Sequence, residues 1–227
     1  MLSANLTMPS DTLPYADDGA QSAIQHVALG SGAVVLRGYA RRCAVDLLSM
    51  ITSISSLSPF RHMVVPGGWK MSVGLTNCGK VGWITDRTGY RYDSLDPATR
   101  RPWPKMPPLF ADLATGAAKA AGFTDFCPDA CLINRYAPGA RLSLHQDRDE
   151  RNFEHPIVSV SLGLPAIFLW GGKKRADEAR RLPLHHGDVV VWGGPDRLNF
   201  HGVDAVARGE HPLTGSFRFN LTFRQAR

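Results

Sequence analysis

Basic residues are missing from the first 36 positions of this 227-residue chain, and cysteine occurs only four times. No apolar run approaches the ~18 residues of a membrane span, so no membrane segment is expected. The N-terminus has no positive stretch followed by an apolar one, which argues against a secretory signal. Its Ser, Pro, Asp and Ala content predicts a flexible acidic tail over residues 1–32. Four cysteines (Cys43, Cys78, Cys127, Cys131) are too few for a disulfide scaffold at this length. Cys127 and Cys131 have no second pair to complete a zinc knuckle. Reduced, mostly buried thiols in a cytoplasmic protein are expected. No repeat of fixed period is present.

Charge and turn residues are abundant where they occur. Glycine (22) and proline (16) make up about 17% of the chain against a usual ~12%. That excess favours a turn-rich, mainly β fold. The formal charge is +6, but residues 1–36 carry only Asp11, Asp17 and Asp18. The remainder therefore holds 26 basic against 17 acidic residues, a body of +9. Such a balance suits a polyanionic partner such as nucleic acid, although solubility alone accounts for many basic proteins.

Periodicity places Ala33–Leu36 on a strand and residues 40–57 on a helix, with Leu47, Ile51 and Ile54 on one face. A second helix is expected over 108–121, with Pro108 at its start, Gly122 as its stop, and Leu109, Leu113, Ala117 and Ala120 inward. Between them, residues 58–108 are crowded with Pro, Gly and aromatics and have a strand-like piece at 70–76. From 129 to 225 the pattern is short strands between turns: 131–136, 141–146, 157–163, 166–170, 188–192, 198–202 and 216–223. The expected fold is mainly β with flanking helices, a sandwich or jelly roll rather than a parallel α/β sheet. Residues 33–227 form one domain in this reading.

Three segments carry chemistry. In Ser216–Arg224 the side chains alternate faces, with Phe217, Phe219, Leu221 and Phe223 on one side. Arg218, Asn220, Thr222 and Arg224 lie on the other, either as a solvated face or as a bracket for a small dicarboxylate. Arginine's planar fork suits the latter. In Leu144-His-Gln-Asp147, His145 and Asp147 share a strand face. With a distant histidine they would form the 2-His-1-carboxylate set of non-haem Fe(II) oxygenases. His201 lies in a candidate strand, whereas His155, His185, His186 and His211 look like loop residues and His26 and His62 lie in the N-terminal half. In Pro156–Gly163, large Val158, Val160 and Leu162 alternate with small Ser159, Ser161 and Gly163. The small face leaves room for a ligand or for a closely packed backbone.

The chain resembles the AlkB family of Fe(II)/2-oxoglutarate-dependent dioxygenases from about Ala33 to Gln225. The resemblance is carried by Met63-Val-Val-Pro-Gly-Gly-Trp69, Met71-Ser-Val73, Thr76-Asn-Cys-Gly79, Asp129–Gly139, Leu142-Ser-Leu-His-Gln-Asp147, Val158–Ala166, His186–Gly194 and Arg218–Arg224. His-x-Asp alone is weak; the set in this order is specific. It implies a double-stranded β-helix (residues 129–225) with an N-terminal helical support and a nucleotide-recognition lid over 58–108. It implies Fe(II) held by His145, Asp147 and His201. Asn134 and Tyr136, with Arg218, Asn220 and Arg224, would hold 2-oxoglutarate, Arg218 taking the carboxylate far from iron.

The implied reaction is oxidative demethylation of N-alkylated bases in DNA and RNA, chiefly 1-methyladenine and 3-methylcytosine. O2 and 2-oxoglutarate are consumed, and succinate, CO2 and formaldehyde are released. Such lesions are cationic and already unpaired, hence cheap to flip from the stack, in single strands or in a duplex. Asp149 is placed to supply the matching anion, Trp83 to stack on the base, and Tyr90 and Arg175 to touch phosphate or the base's flank. Trp69 stands where the family carries a lid tyrosine and is counted with the substrate-binding residues for its ring, although without the hydroxyl a phosphate hydrogen bond there is not expected. Some of Phe60, Tyr92 and Trp103 are expected to fill the lid's own core. A basic loop (Lys173, Lys174, Arg175, Arg180, Arg181) completes the reading, and a monomer is expected. The competing readings are a same-fold dioxygenase with a non-nucleic-acid substrate, a non-catalytic damaged-strand binder, and a zinc hydrolase.

Overall fold

The computed structural model describes residues 25–227. In chain order its elements are β1 (His26–Ala28), β2 (Ala33–Leu36), α1 (Ala44–Leu57), β3 (Gly74–Gly79), β4 (Gly82–Asp86), β5 (Gly89–Asp93), α2 (Pro108–Ala120) and β6 (Ala130–Tyr136). They continue with β7 (Leu142–His145), β8 (Ile157–Gly163), β9 (Ala166–Trp170), β10 (Arg180–Leu184), β11 (Val189–Trp192), β12 (His201–Val203) and β13 (Arg218–Arg224). A seven-stranded sheet runs β1-β2-β11-β8-β13-β6-β3, and a four-stranded sheet runs β10-β9-β12-β7. Every pairing in these two sheets is antiparallel. The pair of sheets is the jelly roll, and β4 and β5 form a separate hairpin.

Alternation sorts each central strand into two faces. On β13, Leu221 and Phe223 are fully buried against the helical layer, with Phe110 of α2 meeting Phe223 edge to face at 5.8 Å. Leu47, Ile51 and Ile54 of α1 complete this core. Each such side chain contributes roughly 1.5–3 kcal/mol by leaving water. Helix α2 starts at Pro108, and the chain turns away at Gly122 with φ +91. Its buried face is Phe110, Leu113, Ala114, Ala117 and Ala118, rotated from the expected stripe, which named the half-buried Leu109 and the exposed Ala120. Seating Phe110 on Phe223 sets that rotation.

Several expected boundaries move. The tail expected over 1–32 lies mostly outside the described residues, but His26–Ala28 is a strand paired to β2. The strand expected at 70–76 is β3, shifted to 74–79, and it pairs with β6 inside the main sheet. Among the described residues of 58–108, β4 and β5 form a sheet of their own beside the two larger ones. The basic stretch 173–181 is not one loop. Arg180 and Arg181 open β10, where Arg180 Nη1 donates to the Leu29 carbonyl and Arg181 pairs with Asp204. Pro183 lies in this outer strand. The strand expected over 198–202 begins only at His201. Among the four free thiols, Cys78 and Cys131 are buried opposite each other on β3 and β6, while Cys127 is exposed.

Asp96 braces the segment from 58 to 103. Its buried carboxylate accepts from Ser58 Oγ (2.6 Å) and the Ala98 amide (2.8 Å) and pairs with Arg61 Nη1 (2.6 Å). Arg61 in turn lies over the buried Trp103 ring, 5.3 Å from its centroid. Burial alone pushes the Asp96 carboxyl up, but the Ser58 hydroxyl and the Arg61 guanidinium outweigh it and the net shift is downward. Asp96→Asn is expected to lower stability in urea unfolding at pH 7 by about 2 kcal/mol, the range for a hydrogen-bonded charge. Because the folded-state pKa is depressed, that contribution is full above the ordinary carboxylate range and is lost as pH falls through the lowered value. The gap between variant and parent should therefore narrow on acidification; equal midpoints at pH 7 would remove Asp96 as the brace.

Candidate active site

The polar face of β13 opens into a cavity of about 700 Å³ between the two sheets. Register places its side chains beside those of both neighbours. Arg218 lies opposite Tyr136 on β6 and Gly163 on β8, and Asn220 opposite Asn134 and Ser161. The small face of β8 divides: Ser159 lines the cavity, Gly163 packs against backbone, where a Cβ would sit 2.5 Å from the Phe217 carbonyl oxygen, and the two hydroxyls hold the β13 side chains. Arg218 Nη2 donates to Ser161 Oγ (2.9 Å), and Asn220 Nδ2 donates to Ser159 Oγ (2.8 Å). Asn220 Oδ1 also accepts from Asn134 Nδ2 (3.1 Å) and Thr222 Oγ1 (2.9 Å), so Asn220 is an internal brace.

His145 and His201 are direct cross-strand partners at the end of β7 and the start of β12. Their rings lie 4.5 Å apart. Gly202 allows this approach, because a Cβ there would sit 2.7 Å from the Leu142 carbonyl oxygen. Strand β7 stops at His145, so Asp147 follows just past its end rather than on the same strand as expected. It still reaches the two imidazoles: Nε2 of His145 and of His201 are each 3.7 Å from an Asp147 carboxylate oxygen. One ligand atom from each of the three lies within 4.8 Å of the others. The Nδ1 atoms bond backbone carbonyls, His145 to Ser143 (2.8 Å) and His201 to Asn199 (3.1 Å). A carbonyl only accepts, so Nδ1 carries the proton and each Nε2 lone pair is left for a metal.

The electrostatics keep this donor set ready. Burial and the neighbouring His145 lower His201 to about 4, so its ring is neutral near pH 7. Burial works against the Asp147 charge, but the Arg224 guanidinium outweighs it and holds the carboxyl well below the usual range, with the His201 and His145 rings adding to the pull once acid protonates them. Arg224 is engaged in this structure. Its Nη2 and Nε donate to Asp147 Oδ2 at 2.6 and 3.1 Å, and its Nε lies 3.2 Å from Glu150 Oε1. Arg218 is not: it is 1% exposed, yet its Nε and Nη1 find no hydrogen-bond partner among the described residues. A buried guanidinium with idle donors suits a carboxylate ligand, since leaving such donors unmet is costly. Burial also pushes the Tyr136 phenol up to about 12 against the pull of Arg218, so it stays a protonated donor. Two imidazole Nε2 atoms and a carboxylate fit Fe(II), and Arg218 with Tyr136 fits the far end of 2-oxoglutarate.

At the mouth, Trp83 Nε1 donates to Asp149 Oδ2 (2.7 Å), and Trp83 stacks on Tyr90 with centroids 5.8 Å apart. Trp83, Tyr90, Asp149 and Arg175 all line the cavity. Trp69 does not; it is 79% exposed on a turn whose stems include the lining residues Val65 and Met71. Of the expected core aromatics, Trp103 is buried, while Phe60 and Tyr92 are half-buried. Sequence reasoning missed Glu150 and Arg197, both buried beside Asp147. The one available signal was an acid three positions past Asp147 in an otherwise solvent-like charged run.

A model of the 2OG-Fe(II) oxygenase superfamily matches residues 32–224. The chain is 60% identical over 198 residues to the alpha-ketoglutarate-dependent dioxygenase AlkB of Escherichia coli K12, covering 87% of this chain and 92% of that one. It is 44% identical over 182 residues to the AlkB homolog of Caulobacter vibrioides NA1000, covering 80% and 81%. The solved structure of OsALKBH1 superposes with a TM-score of 0.77 at 29% identity, covering 88% of this chain and 100% of that one. On the family match, this identity and the donor set together, the chain belongs to the AlkB family of the 2OG-Fe(II) oxygenase superfamily and is an Fe(II)/2-oxoglutarate-dependent dioxygenase.

Proposed function

We propose that the enzyme oxidatively demethylates N-alkylated bases, chiefly 1-methyladenine and 3-methylcytosine, in single-stranded DNA or RNA and in duplexes that present the base flipped out. The observation that carries this reading is the Trp83–Asp149 pair at the cavity mouth. It sets an aromatic surface and an anion together, which is what a flat cationic base needs. The +9 body supplies sequence-indifferent attraction to phosphate, which weakens with salt. We further propose that the enzyme works in the cytoplasm as a monomer.

In this reading His145, Asp147 and His201 hold Fe(II) through two Nε2 atoms and a carboxylate. When bound, Fe(II) with O2 and 2-oxoglutarate supplies the oxidation that turns the N-methyl group into hydroxymethyl, with succinate and CO2 as products. Arg218 and Tyr136 anchor the far carboxylate of 2-oxoglutarate, while Asn134 orients the near end. Arg224 holds Asp147 in place. Trp83 and Tyr90 form the wall against which the base rests, Asp149 faces its positive ring, and Arg175 is placed for the strand's phosphates. The hydroxymethyl group leaves as formaldehyde, its hydroxyl proton passing to water and its C–N bond pair returning to the ring nitrogen, which neutralises the base. That loss of charge weakens the attraction to Asp149 and favours product release.

Purified enzyme with Fe(II), ascorbate and 2-oxoglutarate should convert 1-methyladenine in a single-stranded oligonucleotide to adenine and release formaldehyde. His145→Ala should stop turnover while oligonucleotide binding survives. An intact lesion alongside 2-oxoglutarate turnover on a different substrate would sink the nucleic-acid reading. Arg218→Ala should raise the KM for 2-oxoglutarate about 10–100-fold, as expected from losing charge-assisted bonds of about 1.5–3 kcal/mol. Trp83→Ala should raise the KM for the oligonucleotide by about tenfold, within the range of one lost base stack, and leave the KM for 2-oxoglutarate unchanged. A shift of both together would place Trp83 in the scaffold rather than on the base.

A further inference from the structure

Glu150 is a carboxylate at which three elements meet. Its side chain is 2% exposed, and Arg197 Nη2 (3.0 Å) and Arg224 Nε (3.2 Å) converge on it. The third partner is Tyr92, whose hydroxyl donates to Glu150 Oε1 at 2.6 Å. Arg224 passes the chain on to Asp147 Oδ2 at 2.6 Å. Arg197 fastens the backbone around the site, with Nη1 on the Asp147 carbonyl and Nε on the His155 carbonyl, both at 3.0 Å. Tyr92 belongs to β5, one strand of the hairpin that stands apart from both sheets. The same hairpin presents Trp83 and Tyr90 to the cavity mouth. Three links, each of 3.2 Å or less, therefore join the outer hairpin to the carboxylate between the two imidazoles.

A two-stranded hairpin is marginal on its own and depends on what it rests against. Here β4 is seated through Ile84 in the main core and through two Asn77 bonds to the Trp83 backbone, while β5 is held through Tyr92, which packs on Val81, Ala130 and Ala226 and bonds Glu150; Trp83 adds a bond to Asp149. A phenol donating to a buried carboxylate is a charge-assisted bond. Arg224 divides its donors between Glu150 and Asp147, so a shift of Glu150 changes how Arg224 holds Asp147.

We infer that Tyr92 and Glu150 are positioning residues that couple the seating of the β4–β5 hairpin to the geometry of the metal and 2-oxoglutarate site through Arg224. This rests on the assignment of Asp147 as a metal ligand and not on the nucleic-acid substrate. Coupling is reciprocal, so filling the inner site must alter the hairpin's stability by the factor by which hairpin seating alters inner-site affinity.

The test is hydrogen exchange of the amides of residues 82–93, without oxygen and without nucleic acid, in the presence or absence of Fe(II) and 2-oxoglutarate. In the parent chain the additions should change hairpin exchange at least about fivefold, the lower end of measured couplings. In Tyr92→Phe, which keeps the ring and removes only the donor, the response should fall below about twofold, with β6, β8 and β13 protected as before. Glu150→Gln keeps an acceptor for Tyr92 but drops the charge that holds Arg224. It should retain the hairpin's resting protection and lose the response. A parent hairpin that does not respond, or a Tyr92→Phe or Glu150→Gln chain that responds like the parent, overturns the inference. Failure of the demethylation assay would leave these outcomes untouched.

Discussion

The register of β13 between β6 and β8 is the constraint on which everything else depends. Side chains alternate strictly along a strand, so this register sends Leu221 and Phe223 to the helices and Arg218, Asn220, Thr222 and Arg224 to the cavity. A slip of one residue would exchange the two sets, burying guanidinium groups against α2 and filling the site with aromatic rings. The apolar core thus does more than stabilise. Phe223 against Phe110 holds the strand in the one register that builds a binding site on its reverse.

The inner site is also a group of charges that balance one another. Asp147 is held ionised by Arg224, and Arg224 is offset in turn by Glu150, with Arg197 closing the group. Removing one member would leave its partner charged and unmatched, at a cost larger than the bond itself. Arg218 stands outside this balance. Among the described residues its side chain donates to Ser161, and it lies over the Tyr136 ring at 5.0 Å. The site therefore separates two tasks: one arginine keeps the metal carboxylate in order, and the other is reserved for an incoming anion.

What the sequence made legible follows from how local each signal is. Strands β8 and β9 could be bounded to the residue, because the Val-Ser alternation of one and the compact apolar run of the other sit between clear turn residues. The His-x-Asp pair and the strand-borne His201 stood out because residues two apart on a strand share a face, whereas the arginines read equally as a solvated face or a carboxylate bracket, and the fold turns Arg224 onto Asp147 instead. Asp147 was found for a partly mistaken reason, since the strand ends before it and the chain delivers it from an extended loop. Strand β1 was missed because three residues with no charge pattern carry no period. Glu150 and Arg197 were invisible because their meaning lies in partners on distant segments such as Tyr92, and only the folded chain brings those together.

The outer strand of the four-stranded sheet has a consequence of its own. Edge strands invite a second chain to add on, since their unpaired amides and carbonyls form a ready template. Here β10 carries Pro183, which has no amide to offer, beside the charged Arg180 and Arg181. The Pro183 carbonyl is already taken by Arg37 Nη1 at 2.8 Å. A sheet that must stay open enough to admit a ligand between its layers is thereby closed along its β10 edge, and strand-by-strand growth from that edge is denied its first step.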